Sequence, residues 1–265
     1  MAIAASKGIE VVPLTIRFGE DEFVDRDQLT PAQFWAHLAG SSRLPETAAP
    51  SAGAFEQAYR RVADKGLEGA VAICMSAQVS ATYQAAVIAA ERVADRIPVK
   101  VVDSRAVTMA LGLQVLAVAE YAAEGGDLEK VSAQALAISG RSNILAALDT
   151  LEYLKRGGRI GTAQALIGNV LRVKPLITFA DGAVAPAGRV RTRSKALAAL
   201  VDKVRDLSTQ LQAVSVVHAD ASDVIDLVEP VRSLAPGGDV VVAELGPVVG
   251  THTGPGAIAV AYLLK

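Results

Sequence analysis

Short apolar runs of strand length alternate along this chain with longer segments of helical periodicity, and that alternation restricts the fold more than any single motif does. The runs 69–75, 99–102, 213–217 and 240–244 suit buried strands. Helical patterns over about 81–96, 106–123, 128–138, 195–207 and 221–233 lie between or beside them. Strand, crossover helix and next strand make a parallel sheet covered on both faces, which is the expectation for the first half. Segment 9–18 is β-branched and extended around Pro13, as an edge strand would be. Thr30 followed by Pro31 opens a helix whose apolar face is Phe34, Trp35 and Leu38, running up to Gly40. Ser51 caps a second helix through Phe55, Tyr59 and Val62, which stops at Gly66.

After Ser142 the pattern changes. An apolar strand passes into a short helix and a glycine-broken basic turn, 175–179 is a strand, and Asp181 with Gly182 signals a hairpin. Hairpins mixed with crossover helices imply a mixed sheet. The expected architecture is therefore α/β in two domains: an N-terminal parallel sheet sandwiched by helices (1–141) and a C-terminal mixed sheet with helices (142–265), the boundary falling near Arg141.

Composition narrows the function classes. In 265 residues, 51% are hydrophobic but only 4% aromatic, so the core is built from Ala, Val, Leu and Ile and offers few stacking platforms for nucleic acid. A formal net charge of -2 with interspersed signs argues against a general polyanion binder. The single cysteine, Cys74, sits in the apolar run AVAICM and reads as a core thiol. The start MAIAASKGIE is a poor signal peptide, and the apolar stretch 107–123 is broken by Gln114 and Glu120, so no stable membrane insertion and a cytoplasmic location are expected. Three separated histidines and one cysteine give no zinc spacing, and no phosphate-binding glycine loop is present.

Three loops collect the polar chemistry. In VVGTHTGPGAIAVAY, His252 and Thr253 are placed in a turn between two apolar β-type runs, where glycine backbone, one imidazole and two hydroxyls can hold an anion. In MSAQVSATYQ, Ser76, Ser80 and Thr82 crowd the junction between a buried strand and a helix start, where unpaired amides stabilise a carboxylate or phosphate. A serine in that place also simply caps its own helix. In PETAAPS, Thr47 lies in an extended segment and is either a turn former or a ligand contact. Asp103 and Ser104 end a strand at the carboxyl edge, where open α/β sheets place their sites. Lys155, Arg156 and Arg159 surround Gly157 and Gly158 as a solvated basic loop or a docking patch, and Arg189, Arg191, Arg193 and Lys195 alternate as if along one exposed strand face. Residue type alone also admits a serine hydrolase with Ser80 as nucleophile, His252 as base and Asp103 as orienter, although GxSxG is missing.

Taken together, PETAAPS, MSAQVSATYQ and GTHTGPGA, with GIEVVPLTIRFG, VVDS and LDTLEYLKRGGRI, resemble the DegV family of bacterial fatty-acid-binding proteins over nearly the whole chain. The resemblance implies a two-domain α/β protein that buries one long-chain fatty acid between its domains, with no cofactor of its own. It implies presentation of the carboxylate to a separate fatty acid kinase subunit, which supplies ATP and forms an acyl phosphate. Carried over by motif, Thr47, Ser80 and His252 are the head-group contacts, with Ala81, Thr82 and Thr253 beside them; read as a docking patch, the basic turn gives Arg156 and Arg159 as the candidate partner contacts. Departures are Ala48 and Ala49 for the family's serine and glutamine, and Ala81 for the glycine after the binding serine. The family's opening strand, ending in T-D-S ahead of the segment matched at Gly8, has no counterpart here: either the start is misassigned or trimmed, or the first sheet has lost an inner strand.

Overall fold

The computed structural model describes residues 2–41, 43–167 and 173–265. In chain order the elements are α1 (Ala2–Ser6), β1 (Thr15–Phe18), β2 (Asp21–Val24), α2 (Pro31–Gly40), β3 (Glu46–Ala48), α3 (Ala52–Asp64), β4 (Ala70–Cys74), α4 (Thr82–Arg92), β5 (Val99–Asp103), α5 (Thr108–Ala123) and α6 (Leu128–Ser139). The second half follows with β6 (Ser142–Ala147), α7 (Glu152–Arg156), a 3-10 turn (Gly161–Leu166), β7 (Lys174–Ala180), β8 (Ala183–Val190), α8 (Arg193–Leu207), β9 (Leu211–His218), α9 (Val224–Leu234), β10 (Val241–Glu244), α10 (Pro247–Thr253) and β11 (Ile258–Leu264).

The parallel sheet is the pair β4 and β5, and both faces are covered. Because side chains alternate along a strand, Ala72 and Cys74 pack with Phe55 and Tyr59 of α3 and Ala86 and Ala89 of α4, while Val71 and Ile73 face Val131 and Ile138 of α6. That double burial is why AVAIC is apolar throughout. Cys74 is the expected core thiol, its pKa pushed up to about 12 by burial and the nearby Asp103 carboxylate.

The C-terminal sheet is mixed and six-stranded, in the order β10-β9-β11-β6-β7-β8, with only the β10 and β9 pair parallel. Ile258, Val260 and Tyr262 of β11 point to α8 and α9, and Ala259, Ala261 and Leu263 point to α5. Helix α5 thus shares one core between the parallel pair and the mixed sheet. The Asp181-Gly182 hairpin is present, both residues having positive φ (49° and 80°), as a tight turn of right-handed twist requires.

Four expectations need correction. His252 is not in a turn between two strands: Pro247, which lacks the N–H a ladder needs but suits the first helical position, starts α10, and His252 lies on its last turn. Segment 9–18 is strand only over Thr15–Phe18, and β1 is the centre of an antiparallel sheet, β2-β1-β3, turned at Gly19 with φ 64°. The basic series does not share a strand face, because β8 ends at Val190 and Thr192 caps α8; Arg193 is drawn inward to Asp223 and the Gly256 carbonyl. The helix after MSAQVS ends at Arg92, short of residue 96.

Candidate functional site

Thr47 is the middle residue of β3, paired with Ile16 of β1, so its side-chain direction is fixed by the sheet. Its Oγ1 lies 3.0 Å from His252 Nε2, joining residues 205 apart in the chain. The imidazole is held by close packing: a Cβ on Gly157 would overlap the ring at Nδ1, and a Cβ on Gly254 would overlap the Tyr153 ring. Gly254 also has φ 72°, which only glycine adopts cheaply. Burial, and second the charge of Arg159, bring the His252 pKa down to about 4. The ring is therefore neutral at pH 7, and its Nδ1 is buried without a partner among the described residues. Thr253 instead turns its hydroxyl back to the Val249 carbonyl, 3.2 Å away.

Ser80 stands just before Ala81, the N-cap residue of α4, which has no side-chain cap. Its Oγ is 2.7 Å from Thr82 Oγ1 and accepts from the Thr82 amide at 3.3 Å. The loop is tied from both sides. Asp103 Oδ1 accepts from the amides of Ala77 and Arg105, and Ser76 Oγ donates to the Gly182 carbonyl at 2.6 Å, docking the β7–β8 hairpin tip on the loop.

No hydrogen bond joins Ser80 to Thr47 or His252 among the described residues. The connection runs through Arg159, whose Nε donates to the carbonyl of Val79 at 3.2 Å and whose charge reaches His252. A second donation, to the Gly157 carbonyl at 2.8 Å, fixes the guanidinium. Arg159 thus bridges the loops from an exposed position, and Arg156, also exposed, lines a shallow surface cleft with Arg43, Leu44 and Tyr153. Among the described residues Ser80 pairs with Thr82, His252 with Thr47, and Asp103 with backbone amides, so no hydrogen bond links the three.

The sequence had not marked Gly157, Tyr153 or Gly182 as part of the site. The Gly157-Gly158 dipeptide and the Asp181-Gly182 hairpin were visible, but what each glycine approaches was not. Among the described residues no cluster of metal-ligating side chains occurs and no helix is long and apolar enough to cross a membrane.

The comparisons with known proteins agree with this architecture. The model of the DegV family, described as uncharacterised, matches residues 2–265. A DegV domain-containing protein of Streptomyces coelicolor is 38% identical over 256 residues, covering 96% of this chain and 90% of that one. A Thermus thermophilus DegV family structure described by its fatty acid binding superposes with TM-score 0.91 at 30% identity, covering 100% of this chain and 95% of that one. DegV of Bacillus subtilis, described as a fatty acid binding protein, superposes with TM-score 0.90 at 27% identity over 100% and 94% of the two chains. A two-domain α/β fold, the matched length and the meeting of the threonine and histidine motifs lead to one assignment: this chain belongs to the DegV family.

Proposed function

We propose that this protein is a cytoplasmic carrier that binds a long-chain fatty acid in a buried tunnel between residues 1–141 and 142–265 and presents its carboxylate to a separate kinase subunit, which supplies ATP for acyl phosphate formation. The observation that carries the reading is the Thr47–His252 pair, a neutral polar contact made across the two halves of the chain. Support also comes from the fatty-acid-binding descriptions of the Thermus and Bacillus structures.

The energetics divide the work between tail and head. A buried methylene contributes about 0.8 kcal/mol, so roughly fourteen of them give a gross ~11 kcal/mol before ordering costs. Affinity then rests on the tail, and the head site has only to orient the carboxylate. Thr47, Ser80 and uncharged His252 donate hydrogen bonds without a formal charge, leaving the oxygen more nucleophilic than a direct arginine clamp would. Ala81, Thr82 and Thr253 line the same corner, and Arg156 with Arg159 faces the kinase.

Mass spectrometry of lipid extracted from the natively folded protein tests the carrier role, with one fatty acid per chain expected. Thr47→Val and Ser80→Ala should lower acyl retention and acyl phosphate yield; unchanged yields would remove those hydroxyls from the mechanism. Charge reversal Arg156→Glu should weaken kinase docking while sparing lipid uptake, and undiminished docking would count against the basic turn.

A further inference from the structure

Three parts of the first fifty residues grip α10, each at a different height. At its base, the Gly246 backbone abuts two side chains from the loop after β2: a Cβ there would stand 2.8 Å from Arg26 Nε and 3.0 Å from Asp25 Oδ1. Arg26 Nη2 donates to the Glu244 carbonyl at 2.5 Å, where β10 ends. The Val248 amide, a first-turn donor with no partner inside its own helix, favours the ionised form of the Asp25 carboxylate, against the larger effect of burial, which raises its pKa. At mid-height, Gly250 lies under the rings of Phe34 and Trp35, where a Cβ would approach to 2.6 and 2.8 Å. At the top, His252 meets Thr47.

A helix of seven residues has too few internal hydrogen bonds to define its own position, so what grips it decides where it points. From Gly246 to His252 the axial rise is about 9 Å, at 1.5 Å per residue. A tilt of about 10° at the base therefore carries the imidazole roughly 1.5 Å, enough to break a hydrogen bond to Thr47. The grip is itself held under constraint. Arg26 has φ 64°, an unfavourable backbone for arginine, and one oxygen of the half-buried Asp25 is buried without a partner among the described residues. The loop is fastened by the Asp25 amide on the Leu14 carbonyl and by Gln28, whose side chain accepts from the Val24 amide.

We propose that Asp25 and Arg26 are positioning residues for the carboxylate site: they set the angle of α10 so that His252 arrives opposite Thr47, and so set the preference for a fatty acid over an alcohol of equal length. This rests on the fatty-acid reading above. Neither residue bonds to Thr47, Ser80 or His252.

The test is the ratio of affinities of the full chain for palmitic acid and hexadecanol, which share a tail and differ at the head. Asp25→Leu and Arg26→Ala are expected to weaken palmitic acid about tenfold, as expected for a lost hydrogen bond to a charged group, with hexadecanol unchanged. Asp25→Asn, which keeps an acceptor for Val248, should restore most of the ratio. Arg26→Ala alters an exposed side chain and carries the test if Asp25→Leu does not fold. Palmitic acid and hexadecanol weakening together, or an unchanged ratio in a folded variant, overturns the positioning role alone. Failure of the unaltered chain to bind palmitic acid overturns the fatty-acid reading and this inference with it.

Discussion

The six-stranded mixed sheet and the parallel β4–β5 pair are both rich in apolar residues and end in different states of burial. Ile258 through Leu263 of β11 are all buried, because the strand has a neighbour on each edge and helices on each face. In the parallel pair only Cys74 of β4 and Val102 of β5 are buried, although helices cover both faces there too. The difference is the edges: in a two-stranded sheet each strand is paired on one side only. The two sides of the candidate site inherit this contrast. His252 sits between β10 and β11 of the deeper sheet, whereas the Ser80 loop grows from β4. Arg159 on Val79 and Ser76 on Gly182 are the ties that hold the softer side to the firmer one.

The contrast is open to direct attack, most sharply in the cores. Leu263→Ala should cost about 2–5 kcal/mol, the range for emptying a fully buried site, and Ile73→Ala on half-buried β4 should cost distinctly less. Equal shifts in urea midpoint would erase the distinction between the sheets. The next effect belongs to the firm side and depends on pH. The His252 pKa is about 4 folded against 6.5 for a free imidazole, so the unfolded chain binds the extra proton more readily. Its contribution is complete above about pH 6.5 and is lost as pH falls toward about 4, amounting to about 3 kcal/mol at most. Denaturant melts from pH 4 to 7 should show this slope in the parent and lack it in His252→Gln, and Arg159→Ala should shift it to higher pH.

Smaller still is the tie on the soft side. Ser76→Ala removes two hydrogen bonds, to the Gly182 carbonyl and from the Gln78 amide, about 2 kcal/mol together, and hydrogen exchange should speed up across 76–82 while β11 is unaffected. Matching acceleration in both places would mean the two sides open as one. At the bottom of the scale, the Lys130–Asp127 pair is solvent-exposed, and Lys130→Ala should leave the melting temperature unchanged within error.

Local chemistry was legible where a residue's own backbone preference was decisive. Thr30 and Gln33 form a reciprocal cap with Pro31 in the first helical position, Ser51 caps α3 through the Ala54 amide, and Asp181-Gly182 turns the hairpin. Short elements were harder. The seven residues of α10 span under two helical turns, too few for a period to register, and two adjacent valines there look the same in strand or helix. Arg193 shows a further limit: alternating basic residues suggested a strand face, but a capping threonine overrode the pattern.

By itself the sequence determined the α/β class, most strands and helices, the hairpin and the three polar segments that carry Thr47, Ser80 and His252, because backbone preferences and apolar periodicity act over a few neighbouring residues. Tertiary structure alone decided that Thr47 meets His252, that Arg159 stands between the loops, that Asp103 serves backbone amides and that the imidazole is uncharged. Those outcomes depend on which distant elements exclude water from a side chain and which partner they leave within reach, quantities that exist only once the chain has packed.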